Sequence, residues 1–178
     1  MPLIQKIAPV GVDRDIDRIN EHIFNELDWE SISGVTHEAN HRAYLNKIVD
    51  GNLRIPELFN PATKDYEESY FNDNVAASSF FITDDTRTGS RKYKITVSII
   101  FQLKLEEIFP LINHRADEEA HVDVLNALED NPTGAKIIGL VTDIDKVYEG
   151  LNVSNIKFTD MQEFHVFRVD MDLNYENC

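Results

Sequence analysis

Lys92-Tyr93-Lys94-Ile95-Thr96-Val97-Ser98-Ile99-Ile100-Phe101-Gln102-Leu103-Lys104-Leu105 and Phe164-His165-Val166-Phe167-Arg168-Val169-Asp170-Met171-Asp172-Leu173-Asn174-Tyr175 alternate apolar and polar positions along their length. In the first stretch Tyr93, Ile95, Val97, Ile99, Phe101, Leu103 and Leu105 share one face, and in the second His165, Phe167, Val169, Met171, Leu173 and Tyr175 do so. Period-two alternation of this length predicts two long strands, each with one buried face. Val97, Ile99 and Phe101 are expected to point into the core.

Between these stretches, residues 117–130 have helical spacing, with His121, Val124, Leu125 and Leu128 on one face. Asp117, Glu118 and Glu119 suit the positive end of the helix dipole, and Asn131-Pro132 stops the helix. Val12, Ile16, Ile19, Ile23 and Leu27 predict an earlier helix over 12–27, with Asp13, Asp15 and Asp17 at its start. Phe80-Phe81-Ile82 reads as a strand, joined to the long strand at 92 by a loop centred on Gly89. That long strand is expected to end near Phe109-Pro110. Ile137 to Val141 reads as a short strand and Asp143 to Leu151 as a helical turn. The expected fold class is α+β: an antiparallel β-sheet with long strands, two main helices packed on one face, and an extended arm.

Residues 29–75 lack a sustained apolar face. Ser31 to Gly34 predicts a turn, 43–49 reads as strand or helix, and Asp50-Gly51 is a hairpin signal. Pro56 within Leu53 to Leu58 predicts an edge strand or extended arm, since proline cannot donate to a ladder. Asn60-Pro61 starts a turn, and the acidic, aromatic stretch Tyr66 to Phe71 follows. The segment is expected to project from one domain spanning 1–178 and to pack on something outside its own core.

With 178 residues, 42% apolar and 28% charged, the chain suits a folded domain with a real core. No apolar run approaches the length of a membrane span, and the N-terminus lacks the basic flank and apolar centre of a signal peptide. The single cysteine, Cys178, forms no intrachain disulfide, in keeping with synthesis in a reducing cytoplasm. The net charge of −15 argues against affinity resting on phosphate neutralisation. It fits high solubility, or a surface that DNA passes without sticking.

His37-Glu38-Ala39-Asn40-His41 satisfies H-E-x-x-H. On a helix the two histidines would share a face and bind zinc, with Glu38 as general base. Gly34 just before the string and Arg42 just after it make a poor context, and Glu57, Glu67 or Glu68 would have to supply the third ligand. The favoured reading is two solvated or hydrogen-bonding histidines, no metal and no cofactor. Replacing both by alanine is then expected to leave stability unchanged. Asp13, Asp15 and Asp17 imitate an EF-hand start, but Arg18 and Phe24 stand where that loop needs glycine and glutamate. His121 and His165 read as core histidines, having no nucleophile or carboxylate at a recognisable spacing. Asp170, Asp172 and Asn174, joined by Glu176, alternate on the open face of the last strand. Such residues form a wet face or, in a ring, the lining of a lumen.

Three stretches carry a resemblance: Phe80-Phe81-Ile82 through 92–105, the helix Asp117-Glu118-Glu119-Ala120-His121-Val122-Asp123-Val124-Leu125, and the ending 164–175. In this order, after a first helix and an extended arm, they resemble the tail-terminator and tail-completion proteins of tailed bacteriophages, including head–tail joining rings. Ile55-Pro56-Glu57-Leu58-Phe59, Tyr66-Glu67-Glu68 and Ala77-Ser78-Ser79-Phe80-Phe81 also resemble proteins of phages with Bacteroidetes hosts. The likeness runs over about residues 10 to 176.

It implies a structural virion protein with no catalytic residues, made in the host cytoplasm and placed in the neck or tail. The implied partners are further copies in a hexameric or dodecameric ring and neighbouring portal, neck or tail proteins. DNA would pass without specific binding, and Asp170, Asp172 and Glu176 are the candidate lumen face. Two other classes stay open: a zinc-dependent hydrolase built on His37, Glu38 and His41, and a small cytoplasmic protein-binding module.

Overall fold

A computed structural model describes residues 3–69, 74–84, 86–153 and 164–176. Cys178 and the Tyr70-Phe71 end of the acidic, aromatic stretch lie outside the described residues. The chain order is α1 (Val12–Leu27), α2 (Trp29–Ser33), β1 (His37–Arg42), β2 (Tyr44–Val49), β3 (Leu53–Asn60) and β4 (Asp65–Glu68). There follow β5 (Ala77–Thr83), β6 (Thr88–Gly89), β7 (Lys92–Leu103), α3 (Leu105–Ile108), α4 (Asp117–Glu129), β8 (Lys136–Val141), α5 (Ile144–Val147) and β9 (His165–Glu176). The fold is α+β.

The main sheet runs β1-β5-β7-β9-β8, with β6 also on β7. Every pairing in it is antiparallel except β1 with β5. The two long strands lie side by side in unbroken register from Lys92↔Glu176 to Leu103↔His165, so their alternation is in phase and their apolar rows merge. The predicted register holds: Val97, Ile99 and Phe101 join Phe167, Val169 and Met171 in a core with Ile16, Ile19 and Ile23 of α1 and Ala120, Val124 and Leu128 of α4. Both main helices therefore cover the same face.

The opposite face is not open, as a strand with one buried face would require. Phe80, Ile100 and Val166 form a second core there with Ala43, Val147, Tyr148 and Leu151. The polar residues on that face survive burial by pairing: Ser78 Oγ donates to Gln102 Oε1 at 2.9 Å, and Gln102 Nε2 donates to Tyr148 Oη at 2.7 Å. β7 stops at Leu103 rather than near Phe109, and Leu105 to Ile108 forms a helical turn.

What covers this face is much of the expected arm. β2, β3 and β4 form a separate antiparallel sheet, and Leu45 and Leu58 pack on the second core. Asp50-Gly51 makes the β2–β3 turn, both residues with positive φ. β3 is the central strand of this sheet despite Pro56. The β2–β3 ladder is irregular between Tyr44 and Lys47, opposite the proline, and β4 pairs only from Glu57 onward, so no partner needs the missing N–H. Residues 150–152 also hold β3, through Arg54 N–H to Gly150 O at 3.0 Å and Asn152 N–H to Arg54 O at 2.8 Å. Ser31 to Gly34, expected as a turn, is instead the end of a short helix, Trp29–Ser33, closed by Gly34 at φ 69°.

Candidate functional site

The H-E-x-x-H residues lie on β1, not on a helix. Four residues along a strand span about 13 Å, whereas the same spacing on a helix is one turn. A register shift between Ala39 and Arg42 also turns the two histidines apart. The His37 ring sits between Phe24 and Trp29, with centroids at 5.4 and 5.1 Å, and its Nε2 is 3.4 Å from Ser79 Oγ. Burial pushes its pKa down to about 4. His41 faces the small sheet, its Nδ1 3.0 Å from Arg42 O and its Nε2 3.3 Å from Phe59 O. Burial lowers its pKa against the opposing pull of those carbonyls.

Glu38, His41, Glu67 and Glu68 do line one cleft of about 580 Å³. Their polar atoms are already engaged: Asn40 Nδ2 donates to Glu38 at 3.2 Å, Asn60 Nδ2 to Glu67 at 2.8 Å, and Lys47 Nζ to Glu68 at 3.1 Å. Glu57 lies beside Lys47 at 3.9 Å. Among the described residues no group of three or more His, Cys, Asp or Glu side chains converges as a metal site would require.

On β9, each proposed lumen carboxylate has a cation beside it. Asp170 Oδ1 is 2.8 Å from Arg168 Nε and accepts from Ser98 Oγ at 2.5 Å. Asp172 is 2.7 Å from Lys94, and Glu176 is 3.3 Å from Lys92. The acidic residues seen in the sequence of β9 are therefore matched by Arg168 and by lysines on the paired strand β7. The second core covers the Asp170 end, which lines a cleft of about 380 Å³ with Arg54, Thr96, Ser98 and Arg168. Asp172 and Glu176 lie toward the more exposed end.

A polar cluster that spacing did not reveal joins the N-terminal residues to α1, β1 and β2. Asp13 receives Arg42 Nε at 2.6 Å and Lys6 Nζ at 2.7 Å, and Lys6 Nζ also reaches Tyr44 Oη at 2.8 Å. Lys6 and Arg42 both lie over the Tyr44 ring, at 4.5 and 4.9 Å from its centroid. Burial works against an ionised Asp13, but Arg42 and Lys6 outweigh it and hold the pKa below the ordinary value. One turn further along α1, burial and the Asp13 charge raise Asp17 to about 6, although Lys6 N–H donates to its Oδ2 at 3.0 Å. The only advance sign was the run of aspartates, which reads equally well as helix-terminal charge.

A second buried pair joins α4 to β9. His121 Nε2 and His165 Nε2 are 2.8 Å apart, Arg115 Nη2 is 3.2 Å from His165 Nδ1, and Glu118 Oε1 is 3.5 Å from His121 Nδ1. Two nitrogens on one tetrahedral zinc stand about 3.3 Å apart, so 2.8 Å is the spacing of a hydrogen bond. The pair adjoins a cleft of about 600 Å³ lined by Leu105, Phe109, Arg115 and Phe164 among others. Among the described residues no helix is long and apolar enough to cross a membrane.

No known protein family, curated protein or solved structure matches this chain.

Proposed function

We propose that this chain is a structural, ring-forming protein of the neck or tail of a tailed bacteriophage, in a tail-terminator or head–tail joining role. The observation that carries the reading is the unlikeness of the two edges of the main sheet. At one edge the N-terminal residues close β1, with Leu3 bridged to Ala39 and Ile4 N–H donating to Ala39 O at 2.8 Å. At the other edge β8 has no strand outside it among the described residues, and Ile138 and Leu140 are exposed on it. A ring is built from heterologous contacts, in which each subunit presents two different surfaces that fit one another. An unprotected edge with exposed apolar residues is a liability in a monomer and a ready joint in an assembly.

The remaining features agree with a non-catalytic role. The H-E-x-x-H residues serve as packing and hydrogen-bonding groups. The lumen proposal changes in kind: Asp172 and Glu176, with Lys94 and Lys92 beside them, make a charge-balanced wall rather than an acidic one, while Asp170 is held by Arg168 and Ser98 under the second core. Such a wall still suits passing DNA, because cations engaged by carboxylates release fewer counterions from phosphates. The neighbours in this reading are portal, neck or tail proteins.

Imaging of phage particles carrying a tagged chain tests the placement. Density for the tag in a symmetric ring on the head–tail axis is the expected result, and purified particles that lack the chain would rule it out.

A further inference from the structure

We infer that Arg115, His165 and His121 form one directed hydrogen-bond chain, with Glu118 beside its end, that latches α4 to the start of β9 and lets go when a proton is added to it. The argument is a proton count. A guanidinium has donors only, so the Arg115 Nη2 contact at 3.2 Å requires a lone pair on His165 Nδ1. His165 then carries its proton on Nε2 and donates it across 2.8 Å to His121 Nε2. That nitrogen must hold a lone pair, so the His121 proton sits on Nδ1 and faces Glu118 Oε1 at 3.5 Å. The reverse assignment fails: if His121 donated from Nε2, His165 would have to accept at both nitrogens and carry no proton at all. The direction is therefore Arg115 to His165 to His121, whose Nδ1–H faces Glu118, with both rings neutral.

The surroundings allow no easy alternative. His121 and His165 are 4% and 7% exposed, and both rings pack on Phe167 at centroid distances of 4.8 and 5.5 Å. Arg115 and Asp117 are the charged groups acting on His165 from the α4 side, and Glu118 faces His121. On the β7 side the residue opposite His165 is the apolar Leu103. The next residue, Lys104, lies over the Phe164 ring and is 3.6 Å from Glu107. An added proton on His165 Nδ1 points at the Arg115 cation, and one on His121 Nε2 points at another N–H. The first breaks the Arg115–His165 bond just before α4, and the second breaks the His165–His121 bond, the only side-chain hydrogen bond between α4 and β9 found among the described residues. Burial, His121 and Arg115 together keep the His165 pKa down to about 4 against the opposing Asp117, in agreement with the geometry.

The full-length chain labelled with ¹⁵N-histidine supplies the test. Long-range ¹H–¹⁵N correlation spectra at pH 7.5 are expected to show His165 as the Nε2–H tautomer and His121 as the Nδ1–H tautomer. His121 as Nε2–H, or either ring as imidazolium at that pH, would overturn the assignment. On acidification from pH 6.5 toward 4, amides of α4 should lose exchange protection before those of α1, by up to about tenfold per pH unit for one linked proton. Loss of protection in α1 and α4 together would overturn the latch. Arg115→Met removes the donor at an exposed position and should move the loosening of α4 to higher pH, whereas an unmoved onset also contradicts the chain.

Discussion

Phe101 of β7 and Phe167 of β9 are register partners whose rings stack at a centroid distance of 5.0 Å and an interplanar angle of 13°. Both are fully buried beneath the helix layer. Truncating either removes aromatic surface from the centre of the larger core. Phe101→Ala should destabilise the chain by about 3–5 kcal/mol. Ser98→Ala, at a buried position on the second face, loses its hydrogen bond to the Asp170 carboxylate and should cost less, about 1.5–3 kcal/mol. Denaturant midpoints measure both, and equal shifts would mean that the register is wrong.

The histidines of the H-E-x-x-H string should behave differently from each other and hold no zinc. His37 is packed between Phe24 and Trp29, so His37→Ala should cost stability on the order of 2–5 kcal/mol, in the range of other large-to-small core changes. This replaces the expectation, drawn from the string alone, that alanine there is harmless. His41→Ala should cost less, because its ring makes hydrogen bonds at the margin of a cleft. Elemental analysis of protein purified without chelators checks the metal: about one zinc per chain, lost in either variant, would revive the hydrolase.

Two groups give stability opposite pH dependences. His37, lowered from 6.5 to about 4, binds fewer protons folded than unfolded between those values, so its contribution is full above pH 6.5 and falls as pH drops toward 4. Asp17, raised from 3.8 to about 6, binds more protons when folded, so its contribution is lost as pH rises from 3.8 through 6. Asp17→Asn should therefore raise the unfolding midpoint at pH 8 and have little effect at pH 4.5. Thermal melts at the two pH values measure this, and a gain confined to acid would reverse the assignment.

Charge reversal on β9 should separate folding from assembly. Asp170 is tied to Arg168 and Ser98 with little exposure, so Asp170→Lys should damage the fold itself. Asp172→Lys and Glu176→Lys alter more exposed pairs, each worth about 0–1 kcal/mol, and should fold normally. If this face lines the lumen, the Asp172→Lys/Glu176→Lys double variant should impair DNA retention or ejection in the virion. Full infectivity would move the lumen elsewhere.

How much could be read beforehand follows from where each element gets its stability. α1, α4, β7 and β9 bury continuous apolar rows, and a row at constant period is visible in one dimension. The Asp50-Gly51 turn was legible for a local reason, its need for positive φ. β1 was not, because His37, Asn40 and His41 are buried by neighbours distant in sequence, namely Trp29, Phe24 and Phe59. β3 was mistaken for an edge because Pro56 forbids a ladder bond only where the partner strand offers one, and the β2 irregularity withdraws it. The second face looked open because Asp170, Asp172, Asn174 and Glu176 alternate along it, and only the fold reveals the second core there and the bonds of Ser78 and Gln102 to each other and to Tyr148. The ion pairs of β9 were hidden for the same reason, since Lys92 and Lys94 become its neighbours only when β7 and β9 pair.

The measurement that bears most directly on the proposed role is native mass spectrometry of the full 20.5 kDa chain. It is to be made alone and after co-expression with the products of its neighbouring genes. The account predicts a closed ring of six or twelve copies in at least one of these conditions, with Ile138→Lys and Leu140→Lys on the open edge of β8 reducing it to monomer. A chain that stays monomeric in both conditions, or rings indifferent to those two substitutions, would contradict it.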